Sequence, residues 1–123
     1  MKQLVLVFLG GGFGSVLRFF IGKNLNSYFT NFYLGTFLVN ILGCLIMGII
    51  FGVSLKNNTL TENQTLLLAT GFCGGFTTFS TFALENHTFL KSGDILNFFV
   101  YTLLSIIIGI ASIALGLWTS KFL

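Results

Sequence analysis

The chain has 123 residues, 54% of them apolar and 7% charged, with six basic against three acidic side chains and a mean hydropathy of +0.95. A water-soluble domain carries about 25% charged residues, so this composition excludes one and points to an integral membrane protein. The net charge of +3 is too small and too scattered for a nucleic-acid partner.

Four apolar stretches, over about 4–22, 32–55, 65–90 and 95–118, are predicted as transmembrane helices of a single 1–123 domain. Each has about 19 residues or more, enough to cross a hydrocarbon core of ~30 Å at ~1.5 Å per residue. The runs are continuously apolar, which excludes the alternation of a membrane β-barrel. Short polar connections (23–31, 56–64 and 91–94) favour antiparallel neighbours.

Span 1 begins with Lys2 and LVLVFLGGGFG, in the manner of a signal peptide. The apolar run continues to Ile21 with no A-x-A site, so a retained helix is expected. It carries Gly10 and Gly14 in G-x-x-x-G spacing, and Arg18 about four residues inside its end. Arg18 can snorkel to the interface, border an anion-attracting vestibule, or pair with Glu85. In span 2, Thr36 and Asn40 lie four apart and share a face with Gly43 and Met47; Gly48 and Gly52 form a second G-x-x-x-G. On the residues alone, Asn40 is either an interhelical hydrogen bond or a pore donor.

Span 3 contains GFCGGFTTFSTFALE (71–85). Gly71 and Gly75 give a third G-x-x-x-G, and the Gly74–Gly75 pair weakens a helix by about 1 kcal/mol per glycine. A break at mid-span is expected there, with carbonyls turned outward, and such backbone survives at membrane depth only inside protein or beside a cavity. Phe79 and Phe82, three apart, share a face and can turn positive ring edges to an anion, or can simply face lipid or core. Hydroxyls run through Thr77, Thr78, Ser80 and Thr81, and Glu85 lies near the span's end. Span 4 carries Tyr101 and Ser105, which continue into a stripe of small residues at Gly109, Ser112 and Gly116. Cys44 and Cys73 have neither metal nor redox spacing and read as buried small hydrophobes.

The basic residues are balanced across the membrane. Lys2, Lys56 and Lys121 fall on one side, Lys23, Lys91 and Arg18 on the other. The positive-inside rule then sets almost no orientation, so insertion both ways and an antiparallel, dual-topology homodimer are expected.

The segments GGFGSVLRF (11–19), GTFLVNILG (35–43) and GFCGGFTTFSTFALE (71–85), with Tyr101 and Ser105 in span 4, resemble the Fluc (CrcB) family of fluoride channels over all four spans. The resemblance implies an all-α membrane protein whose third helix is broken mid-membrane, assembled as an antiparallel homodimer with two pores. It implies a structural sodium ion held by backbone carbonyls of Gly74 and Thr77. Asn40, Phe79, Phe82, Thr36, Ser80, Tyr101 and Ser105 would line the fluoride path, with Arg18 at a vestibule and Glu85 at a pore end. The implied activity is passive fluoride export across a bacterial inner (plasma) membrane, with no enzymatic step. A small proton-coupled multidrug exporter is the alternative, but span 1 lacks the acidic residue those proteins resemble one another by. A purely structural or holin-like membrane protein would need no ordered polar track.

Overall fold

The computed structural model describes residues 1–56 and 59–123, so part of the predicted 56–64 connection lies outside the described residues. The chain is helical: α1 (Lys2–Leu25), α2 (Leu34–Leu55) and α3 (Glu62–Thr65), a π-helical stretch (Leu66–Cys73), α4 (Gly74–Phe76), α5 (Phe79–Lys91) and α6 (Ile95–Thr119), closed by a 3-10 turn (Ser120–Phe122). Among the described residues, four segments are long and apolar enough to cross a membrane: Lys2–Leu25, Leu34–Leu55, Glu62–Lys91 and Ile95–Phe122. They match the four predicted spans. Polar residues cap the starts of the third and fourth. Thr61 and Gln64 form a reciprocal capping box ahead of α3, and Asp94 Oδ1 accepts the Asn97 amide at the start of α6.

Large apolar side chains cover the outside: Phe8, Phe13, Phe20, Leu96 and Ile110 are all well exposed. Lipid is as apolar as these groups, so their burial cannot drive the helices together; close backbone packing must. The glycines supply it. A Cβ on Gly10 or Gly14 would strike the backbone of Leu67 or Phe72, and one on Gly75 would strike Gly11. These contacts press α1 against the first half of the third span. At the second crossing, a Cβ on Gly48 would strike Ile113 and one on Gly116 would strike Leu45, while Gly52 lies under Ser120. All three G-x-x-x-G pairs therefore sit at helix crossings, α1 on the third span and α2 on α6.

The third span is broken, but not at its glycine pair. Gly74 and Gly75 stay helical; Thr77 (φ −79°, ψ 155°) and Thr78 (φ −147°, ψ 112°) are extended. Gly75 is held in the helix by its close packing on Gly11, and the discontinuity falls where side chains can take over the backbone hydrogen bonds. The break diverts the chain. The stretch before it lies on α1, and α5 beyond it lies on α6.

Candidate functional site

The site is built around the break. Asn40 on α2 clasps Thr78 with both ends of its amide: its Oδ1 accepts the Thr78 N–H at 2.8 Å, and its Nδ2 donates to the Thr78 carbonyl at 3.2 Å. The Thr78 hydroxyl caps α5 by accepting the Thr81 N–H at 3.3 Å, and donates to the Thr81 hydroxyl at 3.0 Å. In an unbroken helix these two amides would serve the carbonyls of Gly74 and Thr77. Both carbonyls therefore lose their helical donors. The Gly75 carbonyl is compensated from α1, accepting from Ser15 Oγ at 3.3 Å and from Arg18 Nε at 3.0 Å.

Two cavities flank Thr78. One, of about 210 Å³, is lined by Asn40, Cys44, Thr77, Thr78, Phe79 and Phe82. The Phe79 and Phe82 ring centroids are 6.1 Å apart, so the expected shared face exists. The other, of about 200 Å³, has Arg18, Lys23, Asn26, Thr36, Thr78 and Thr81 in its wall. The first carries no charged side chain; the second carries two cations.

Behind the rings runs a buried polar chain. Thr36 Oγ1 donates to Glu85 Oε1 and Tyr101 OH donates to Glu85 Oε2, each at 2.6 Å. Asn26 pins Thr36 by accepting its N–H at 2.9 Å and donating to its hydroxyl at 3.1 Å. Tyr101, fully buried, is wedged among Phe32, Phe82 and Phe89 at centroid distances of 5.1, 5.4 and 5.9 Å. One turn further along α6, the Ser105 hydroxyl is buried and has no hydrogen-bond partner.

A family model described as "CrcB-like protein, Camphor Resistance (CrcB)" matches residues 5–117. The chain belongs to the CrcB family. Curated relatives match it nearly end to end. A "Fluoride-specific ion channel FluC" of Azobacteroides pseudotrichonymphae genomovar. CFP2 is 47% identical, over 99% of this chain and 98% of its own. Proteins of the same name from Gloeothece citriformis (46%; 98% of each chain) and Phocaeicola vulgatus (45%; 98% of this chain, 100% of the relative) are similar to the same degree.

In this CrcB-family chain, Asn40, Phe79 and Phe82 come together at one cavity, and Thr36 and Tyr101 join through Glu85. Ser80 stands apart: it is exposed and lines neither cavity. Of the three fates open to Arg18, pairing with Glu85 is not the one seen. Arg18 is engaged by the Gly75 carbonyl, an acceptor freed by the break, and Glu85 already receives two hydroxyl donors. Glu85 is 6% exposed, an interior anchor of the polar chain in place of a surface charge. Thr78 and Thr81 belong to the hydroxyl run of span 3 but acquire definite roles only in the fold, and Asn26 and Ser15 carry no site signal in the sequence. Asn26 read as part of a connection, and Ser15 acquires its role only because a carbonyl 60 positions away loses its donor.

Proposed function

We propose that the chain is a fluoride channel that lets the anion leave the bacterial cytoplasm down its electrochemical gradient. The observation that carries this reading is the cavity beside the break, where Asn40, Phe79 and Phe82 meet without a charged group. Fluoride is small and tightly hydrated, so its path must replace water with donors while binding weakly enough to release. Of the two N–H groups on Asn40 Nδ2, one is spent on the Thr78 carbonyl and one remains. The unpartnered Ser105 hydroxyl, outside the lining of that cavity and one turn along α6 from Tyr101, is a further free donor for the path. Tyr101 commits its hydroxyl donor to Glu85 and so contributes position and ring edge more than a hydrogen bond to the ion. The edges of Phe79 and Phe82 add positive quadrupole without a fixed charge that would trap the ion. The names of the relatives favour the same ion.

The same reading includes two pores in an antiparallel homodimer. Balanced basic residues support it, as does Gly74, whose backbone lies open at the surface of a membrane span with nothing within 4 Å of a would-be Cβ. A structural sodium ion suits the Gly74 and Thr77 carbonyls, two hard oxygen donors without helical partners. When bound, it would supply positive charge against these carbonyls at the meeting of two copies.

The test is flux. Liposomes containing the purified protein and loaded with potassium fluoride should release fluoride when an ionophore shunts potassium, and should retain chloride. Well-folded protein that releases no fluoride would sink the proposal.

A further inference from the structure

Four consecutive carbonyls, from Gly74 to Thr77, lose their helical amides at the break, yet α1 donates side-chain hydrogen bonds to one of them, Gly75. We infer that Ser15 and Arg18 are positioning residues for a sodium site: by tying the Gly75 carbonyl to α1 they turn the Gly74 and Thr77 carbonyls away from it, toward the open face. The inference rests on the sodium reading above.

The geometry is directional. Within the α4 turn successive residues point about 100° apart, so fixing the azimuth of the Gly75 carbonyl fixes that of Gly74; Thr77, extended, is tied to the same turn by its N–H and hydroxyl, which both donate to the Cys73 carbonyl. Gly75 is packed on Gly11, while Gly74 faces open space. Arg18 is itself held in place: its Nε is committed to Gly75 and its side chain borders the cavity that also contains Lys23 and Thr36. It is therefore not free to snorkel to the interface.

Two effects of Arg18 on a nearby cation oppose each other. Its charge repels sodium, so charge alone predicts tighter binding once the guanidinium is removed. Its hydrogen bond orients the ligands, so positioning predicts weaker binding. The charge-assisted bond from Arg18, the shorter of the two that hold the Gly75 carbonyl, is the stronger influence, because a loosened α4 would let its carbonyls rotate.

Arg18→Lys keeps the charge and loses the Nε–H; Ser15→Ala loses a donor with no change of charge at all. Equilibrium binding of radioactive sodium to the purified protein, in a buffer whose other cation is N-methylglucamine, measures the site directly. The sodium-induced rise in melting temperature gives a second readout. Arg18→Lys is expected to weaken sodium binding about tenfold, and Ser15→Ala about threefold because its bond is longer. Should Arg18→Lys fail to fold, Ser15→Ala still decides. Saturable sodium binding in the native protein with unchanged or tighter binding in the variants would overturn the positioning role alone. Absence of saturable sodium binding in the native protein would overturn the sodium reading, and this inference with it.

Discussion

Replacing Asn40 with leucine keeps the volume near that of the amide and removes both of its bonds to Thr78. The Thr78 N–H has no alternative partner while the break persists, and an orphaned N–H costs about 1–3 kcal/mol. The Thr78 carbonyl has a second lone pair, so losing the Nδ2 donor costs roughly 0.5–1.5 kcal/mol. Asn40→Leu should therefore destabilise the protein by roughly 2–4 kcal/mol if the break survives. The chain has one escape: the Thr78 amide returns to the Gly74 carbonyl and the helix heals. That lowers the cost but removes the cavity. Either way, fluoride flux should fall at least about tenfold, the equivalent of ~1.4 kcal/mol in a barrier. Asn40→Asp separates clasp from donor. It retains an acceptor for the Thr78 N–H, so stability should change by less than about 1.5 kcal/mol. It removes the remaining amide donor and adds an acid to the path, so flux should still collapse. Liposome flux and denaturation in detergent measure the two quantities. Native flux from Asn40→Leu would refute the clasp as part of the pore. Lost flux with native stability and a retained break would show that Asn40 serves the ion and not the backbone.

Phe82→Ile removes a ring that touches both Phe79 and Tyr101, and should reduce fluoride flux while the protein stays folded; unchanged flux would strike the ring edge from the mechanism. Ser105→Ala deletes a buried hydroxyl that finds no hydrogen-bond partner among the described residues. Stability should hold or rise by about 1 kcal/mol while flux falls, and a fall in stability would mean that the hydroxyl has a partner after all. Gly14→Ala should cost about 1–3 kcal/mol or more in thermal or denaturant unfolding, because its Cβ meets the Phe72 backbone. Gly22→Ala, where the nearest atom is the Asn26 Nδ2 at an ordinary 3.6 Å, should be neutral or stabilise by up to about 1 kcal/mol.

What could be read from the sequence was whatever follows from one helix at a time. Span length, the small-residue spacing of each crossing face and the shared face of Phe79 and Phe82 are periodic properties, and they survive folding. What escaped depends on two spans at once. The glycine pair advertised a weak helix, but the break lies at Thr77–Thr78, where Asn40, on another span, satisfies Thr78, while the Gly74 N–H keeps its helical acceptors at Ala69 and Gly71. Arg18 and Glu85 carry opposite charges near span ends, which suggested a pair. Each finds a better partner that the sequence does not display: a freed carbonyl for the one, and for the other two hydroxyls positioned by α2 and α6.

The break also gives one short stretch polar groups of both signs without a charged side chain of its own. Where a helix is cut, its upstream end presents carbonyl oxygens and its downstream end presents amide hydrogens. Here α4 ends in carbonyls stripped of helical donors, of which Gly75 alone is shown taking side-chain replacements, while α5 begins with Phe79 and Ser80, whose N–H groups point back from the first turn without helical acceptors. Thr78 fills one of these vacancies by capping Thr81, and Asn40 fills the one at Thr78 itself. The residues that cap the cut thus decide which polar groups remain. They leave acceptors on the side of Gly74 and donors on the side of Phe79, a polarity that a continuous helix of the same composition cannot offer at mid-membrane. Its cost is confined to two extended residues and is met by Asn40 and Thr78. That is why substitutions at these two side chains, more than at the glycines that looked like the weak point, should decide whether the chain conducts.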